Sequence, residues 1–126
     1  MWNASRLQPT RNTGWTVTER GPFGQGWQTD TPGSVLEFEV EGTAISLVIH
    51  RIKRAMGMIS ARVDDRPAVK INGWFNADWG GYSAWELVAR DLAPGRHRLT
   101  IQLLDEKAEA STGHHFEVRS VLAAGL

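Results

Sequence analysis

From Val35 the chain alternates strictly, with Leu36, Phe38 and Val40 on one face of an extended segment and Glu37, Glu39 and Glu41 on the other. A period of two is the signature of a strand buried on one side and wetted on the other. The pattern returns in Ile45, Leu47 and Ile49, in Ile59, Ala61 and Val63, in Leu99, Ile101 and Leu103, and in Phe116 and Val118. Between these runs stand turn-forming groups: Glu41-Gly42-Thr43, read as a hairpin, then Asp64-Asp65-Arg66-Pro67 and Ala93-Pro94-Gly95. Ala68 to Asn72 makes a short strand, and Trp85, Leu87 and Ala89 alternate as the inward set of another. No segment keeps a helical period; residues 108–112 allow at most one turn. Eight or nine short strands without a helix indicate a two-sheet sandwich or a barrel.

The 126 residues suffice for one domain and one core. Residues 1–13 read as an irregular lead-in and 14–122 as the sandwich. If successive strands run antiparallel, every second connection lies at the same end. The tight connections 41–43, 64–67 and 92–95 then share one end, and the long ones 18–33, 51–56, 73–84 and 105–113 share the other. Long loops gathered on a rigid scaffold are where binding usually resides.

The densest aromatic stretch of the chain lies in that second set. Between Gly73 and Trp85, the rings Trp74, Phe75, Trp79, Tyr82 and Trp85 stand among Asn76, Asp78, Gly80, Gly81 and Ser83. Such rings either fold inward to cap the core or stay exposed as platforms, and the sequence favours a mixture. Trp85, in phase with Leu87, is expected in the core, as are Trp15 and Trp27. The apolar C–H face of a pyranose packs on an indole or phenol, while planar polar side chains replace water at its hydroxyls. Trp74, Trp79 and Tyr82 are the candidate platforms, and Asn76, Asp78 and Arg51 the candidate polar partners. The basic run His50-Arg51-Ile52-Lys53-Arg54 is either a solvated loop or a contributor to the same site.

Other chemistries find less support. Lysine plus arginine (14) equals aspartate plus glutamate (14), which leaves no net field to attract a polyanion and speaks against nucleic acid as partner. With no cysteine there is no disulfide and no thiolate metal site. Adjacent His114 and His115 point to opposite faces of a strand, so they read as hydrogen-bonding side chains rather than a ligand pair. Asp30, Asp78 and Asp105 lie in long loops, yet no spaced acidic motif accompanies them; a structural calcium stays open and no cofactor is expected. No Gly-x-Ser-x-Gly elbow is present, and the glutamates of 37–41 line one solvated face instead of flanking a cleft. No run is long enough to cross a bilayer, so no membrane partner is expected.

The runs Pro32-Gly-Ser-Val-Leu-Glu-Phe-Glu-Val-Glu-Gly-Thr-Ala-Ile-Ser-Leu47, Gly57 followed by Val63-Asp64, and Leu92-Ala-Pro-Gly-Arg-His-Arg-Leu-Thr-Ile101 resemble the galactose-binding-like β-sandwich accompanying SGNH (GDSL-type) hydrolases and carbohydrate esterases. The resemblance spans about Gly14 to Val121 and implies an all-β, two-sheet antiparallel jelly roll. It also implies a bacterial accessory domain, extracellular or periplasmic, with no catalytic residue of its own, because the Gly-Asp-Ser motif and the Asp-x-x-His pair of the catalytic domain are absent. The expected function is a carbohydrate-binding module for a polysaccharide or oligosaccharide. The alternative is a structural sandwich packed against a separate catalytic domain.

Overall fold

The computed structural model describes residues 2–4, 8–18, 26–76 and 80–125. The described residues form eleven strands and no helix: β1 (Trp2–Ala4), β2 (Arg11–Thr13), β3 (Thr16–Thr18), β4 (Gly26–Thr29), β5 (Val35–Glu41), β6 (Ala44–Arg51), β7 (Met58–Val63), β8 (Val69–Asn72), β9 (Tyr82–Ala89), β10 (Arg96–Leu103) and β11 (Phe116–Ala124). Two antiparallel sheets pack face to face. One has the order β3-β4-β11-β6-β9, with β1 also paired to β11; the other has the order β2-β5-β10-β7-β8. The jelly-roll sandwich is therefore the fold.

The alternation places the core as expected. Leu36, Phe38 and Val40 from one sheet meet Ile45, Leu47 and Ile49 from the other, and Ile59, Ala61, Leu99, Ile101, Leu103, Phe116 and Val118 fill the remaining space, all buried. Trp15 and Trp27 join them, Trp27 with its ring edge-to-face on Phe38 at 6.0 Å. On the wet face of β5, Glu39 pairs with Arg96 at 3.6 Å and Glu37 accepts a bond from the Thr100 hydroxyl.

The lead-in expected over residues 1–13 holds two strands of the sandwich, β1 paired with β11 and β2 paired with β5. Three further expectations need correction. Glu41-Gly42-Thr43 closes no hairpin, because β5 pairs with β2 and β10 while β6 pairs with β11 and β9. The turn is an arch that carries the chain from one sheet to the other, and tight loops of both kinds look alike in sequence. The expected loop 18–33 is interrupted by β4, which runs against β11 from Trp27 opposite Val118 to Thr29 opposite Phe116. Only 30–33 of that span joins the long-loop end; residues 19–25 lie outside the described ones.

Trp85 is the third correction. It is 55% exposed and Leu87 45%, whereas Ala84 and Val88 are buried. The inward phase of β9 is Tyr82, Ala84, Glu86 and Val88, opposite Arg51, Ile49 and Leu47 of β6. A register shift opposite Ile45 and Ser46 brings Ala89 into the core as well. The more apolar of the two phases faces outward. Trp85 sits there against Trp2, edge-to-face with ring centroids 5.3 Å apart.

Candidate functional site

Three loops meet at one end of the sandwich: 52–57 after β6, the described parts 73–76 and 80–81 of the loop after β8, and 104–115 before β11. Backbone hydrogen bonds join them into one layer. Ile52 N–H donates to the Gly73 carbonyl and Phe75 N–H to the Ile52 carbonyl, so that Ile52 and Trp74 form an isolated parallel bridge. The Gly73 N–H reaches the Gly57 carbonyl at 3.0 Å, Gly57 N–H the His115 carbonyl at 2.8 Å, and His115 N–H the Ala55 carbonyl at 2.9 Å. The buried Ser111 hydroxyl donates to the Met56 carbonyl at 2.6 Å and fixes the third loop to the first.

Such close approach needs residues without a side chain. A Cβ on Gly57 would lie 2.7 Å from the His114 carbonyl oxygen, and one on Gly113 would lie 2.8 Å from the Ala55 Cβ. Gly81 combines a left-handed φ of 85° with a carbonyl of Arg51 at 2.6 Å from where its Cβ would stand. The loops of this end are thereby held against one another by their backbones.

Arg51 continues the inward phase of Ile49 at the mouth of the sandwich. Its Nε donates to the Asn72 carbonyl at 2.9 Å, one Nη to the Tyr82 hydroxyl at 3.3 Å, and the other lies 3.5 Å from a Glu86 carboxylate oxygen. Tyr82 packs against the core, its ring edge-to-face with Phe75 at 5.0 Å. Asn72 in turn accepts the Trp74 N–H on Oδ1 at 2.9 Å, which sets the direction in which the chain leaves β8.

The candidate residues thus divide. Arg51 and Tyr82 come together in an internal network, with Phe75 and Glu86 as partners the sequence reading did not single out. Trp74 is half-buried beside it and Asn76 is exposed. Asp78 and Trp79 lie outside the described residues. Trp74 also forms one wall of an open cleft of about 470 Å3, completed by Lys53, Arg54, Ala55, Ala110 and Thr112. The sequence hinted at the third wall only through the small residues around Ser111 and Gly113, which permit the loops to meet.

The histidines find separate partners. His115 is held between the Asp30 and Glu117 carboxylates, and His114 Nε2 lies 3.3 Å from the Asp105 carbonyl. Among the described residues, no cluster of histidine and carboxylate side chains is arranged to hold a metal ion. At the opposite end, His97 Nδ1 lies 2.6 Å from Asp64 Oδ2 and its Nε2 lies 2.6 Å from the Ala93 carbonyl oxygen. The carboxylate hydrogen bond, then the carbonyl, raise the His97 pKa above its usual value. Desolvation acts against ionisation of Asp64, yet the Arg98 N–H and the His97 ring hold its carboxyl below the usual range.

No protein-family model and no curated protein sequence matches the chain. Solved structures do. A two-domain esterase active on acetylated mannans, co-crystallised with mannopentaose, superposes on 98% of this chain with a TM-score of 0.75 and 19% identity. This chain spans 36% of that one, about a third of its length. A family 35 carbohydrate-binding module from Cellvibrio japonicus matches with a TM-score of 0.62 and 14% identity over 100% of this chain and 95% of its own. A family 6 module from Clostridium cellulolyticum, in complex with xylose, gives 0.55 and 14% over 90% and 89%. The chain has the β-sandwich fold shared by these carbohydrate-binding modules and this two-domain esterase.

Proposed function

We propose that the domain is a non-catalytic carbohydrate-binding module that engages a polysaccharide or oligosaccharide through its long-loop end, outside the cytoplasm. The observation that supports this reading is the cleft walled by the Trp74 indole on a layer of three loops stitched by backbone hydrogen bonds. Exposed Asn76 offers a further polar group beside the cleft, Asp78 and Trp79 follow it in the sequence, and Arg51 and Tyr82 form the floor beneath the start of the aromatic loop. Loops tied together by their own backbone hydrogen bonds leave less ordering for a ligand to impose.

Affinity electrophoresis across neutral and acidic polysaccharides tests the proposal, with Trp74→Ala and Trp79→Ala alongside. Retardation by a glycan that either substitution removes, with the melting temperature held within about 3 °C, is the expected result. A folded wild-type domain retarded by no glycan overturns it.

A second reading has its own observation: Trp85 and Leu87 are exposed together on the outer face of β9. Large exposed apolar groups that adjoin one another mark contact surfaces. In that reading the sandwich packs against a separate hydrolase or esterase domain, and Trp85→Ala weakens that association while Trp74→Ala affects nothing.

A further inference from the structure

We infer that the cleft beside Trp74 is built for an acidic saccharide, with a uronic-acid carboxylate on the Arg54 guanidinium and the sugar ring against the indole. The inference rests on the saccharide reading and narrows its ligand class. The chain as a whole is neutral, so any preference for an anion must come from local placement.

That placement is one-sided. Arg54 and Lys53 line the cleft, and among the described residues none of the others that line it, Ala55, Trp74, Ala110 and Thr112, is acidic. Arg54 is exposed, and its guanidinium makes one hydrogen bond, from an Nη to the neutral Lys53 carbonyl at 3.0 Å. It has no carboxylate partner among the described residues. The contrast with Arg51 is informative: three residues earlier in the chain, that guanidinium is fully engaged by Asn72, Tyr82 and Glu86. On the third loop Glu106 is drawn away to Lys70, 2.6 Å from its ammonium.

The backbone around Arg54 is fixed on both sides. Its carbonyl accepts the Met56 N–H at 2.8 Å, and the adjacent Ala55 carbonyl accepts the His115 N–H. Arg54 therefore stands on a held backbone in the lining of a cleft that Trp74 also lines. A planar fork of N–H donors matches a carboxylate through two parallel bonds, which a hydroxyl cannot reproduce. Thr112 offers a hydroxyl for the sugar's own hydroxyls. The volume of about 470 Å3 lies within the usual range for a small ligand.

The test compares polygalacturonate and a glucuronic-acid-substituted xylan with the same polymers after chemical reduction of their carboxyl groups, by affinity electrophoresis and calorimetry at low and moderate salt. Carboxyl reduction is expected to weaken binding about tenfold, the scale of a charge-assisted bidentate pair. Arg54→Gln should weaken the native polymer by a similar factor and leave the reduced polymer unchanged. Arg62→Gln, on the exposed face of β7, controls for net charge and should change neither. Equal binding of native and reduced polymers overturns the inference and leaves a module for neutral saccharides. An equal loss in Arg54→Gln and Arg62→Gln overturns it in favour of nonspecific attraction. Binding of no polysaccharide at all overturns this inference and the saccharide reading together.

Discussion

His97 on β10 and Asp64 in the turn after β7 share a 2.6 Å hydrogen bond that ties two connections of the short-loop end to each other. Because the second ring nitrogen of His97 faces the Ala93 carbonyl at 2.6 Å, only the doubly protonated imidazolium can donate to both acceptors. The Asp64 backbone adopts a left-handed φ of 51°, and its other carboxylate oxygen accepts the Arg98 N–H.

Stability should therefore fall as the medium turns alkaline. The raised His97 pKa adds stability that is fully present below the unfolded value of about 6.5 and lost as pH rises through the higher folded value. The lowered Asp64 pKa adds stability present above about 3.8 and lost as pH falls through the lower folded value. Thermal melts between pH 4 and 9 should show a plateau in the mildly acidic range and a decline on the alkaline side. His97→Gln should abolish the alkaline decline and lower the plateau by about 3 °C. An unchanged profile in that variant would remove His97 as the cause.

Gly57→Ala should open the loop layer. The added methyl would stand 2.7 Å from the His114 carbonyl oxygen and 2.8 Å from its Cα, and neither backbone atom can swing aside. Overpacking of this kind costs about 1–3 kcal/mol. Hydrogen exchange should accelerate at the His115 and Gly73 amides, whose acceptors lie on either side of the joint, while the centre of β10 stays protected. Gly33→Ala serves as a comparison: its Cβ would meet open space, so only the strain of a left-handed residue is added.

The two tryptophans Trp27 and Trp85 should respond oppositely to truncation. Trp27→Ala removes a ring buried against Phe38 and should cost about 3–5 kcal/mol in urea unfolding. Trp85→Ala removes a ring 55% exposed, whose aromatic partner is Trp2, and should cost about 1 kcal/mol or less. Comparable losses in the two variants would contradict the phase of β9.

Arg51→Met should remove one donor each from the Tyr82 hydroxyl and the Asn72 carbonyl and the cation beside the Glu86 carboxylate at the mouth of the core. A loss of about 1–3 kcal/mol is expected. If Glu86→Gln in the same background restores part of it, the cost lies in the stranded carboxylate; no rescue would place it in the hydrogen bonds to Asn72 and Tyr82.

Much of this fold could be read from alternation, because Leu36, Phe38 and Val40 against three glutamates admit one orientation. Trp85 escaped that logic since an edge strand need not bury its larger side chains. Its inward positions, Ala84 and Val88, are modest in size, and Tyr82 and Glu86 of the same phase are polar at their tips. Gly42 marked a tight turn correctly, yet which sheet receives the next strand depends on pairings with β9 and β11, far away in sequence. Of the candidate site, the segments were visible in the sequence and their arrangement was not. Trp74 and the basic run were visible as aromatic and charged segments of long loops, but the inward turn of Arg51 and the outward placement of Arg54 follow from packing at the mouth of the core. Ser111, whose hydroxyl joins two loops, carries no sequence signature beyond a small polar residue near a glycine.

The pairing of β1 with β11 sets Trp2 beside Ala124, close to where Thr43 N–H donates to the Ala124 carbonyl. Strand β11 then runs nine residues from Ala124 back to Phe116 at the foot of the loop layer, a distance of roughly 25 Å. Both ends of the described chain thus emerge on the side away from the Trp74 cleft. A tether fused at either position, or at both, would present the cleft outward like the head of a stalk, so immobilisation through these ends should leave the proposed saccharide site unobstructed.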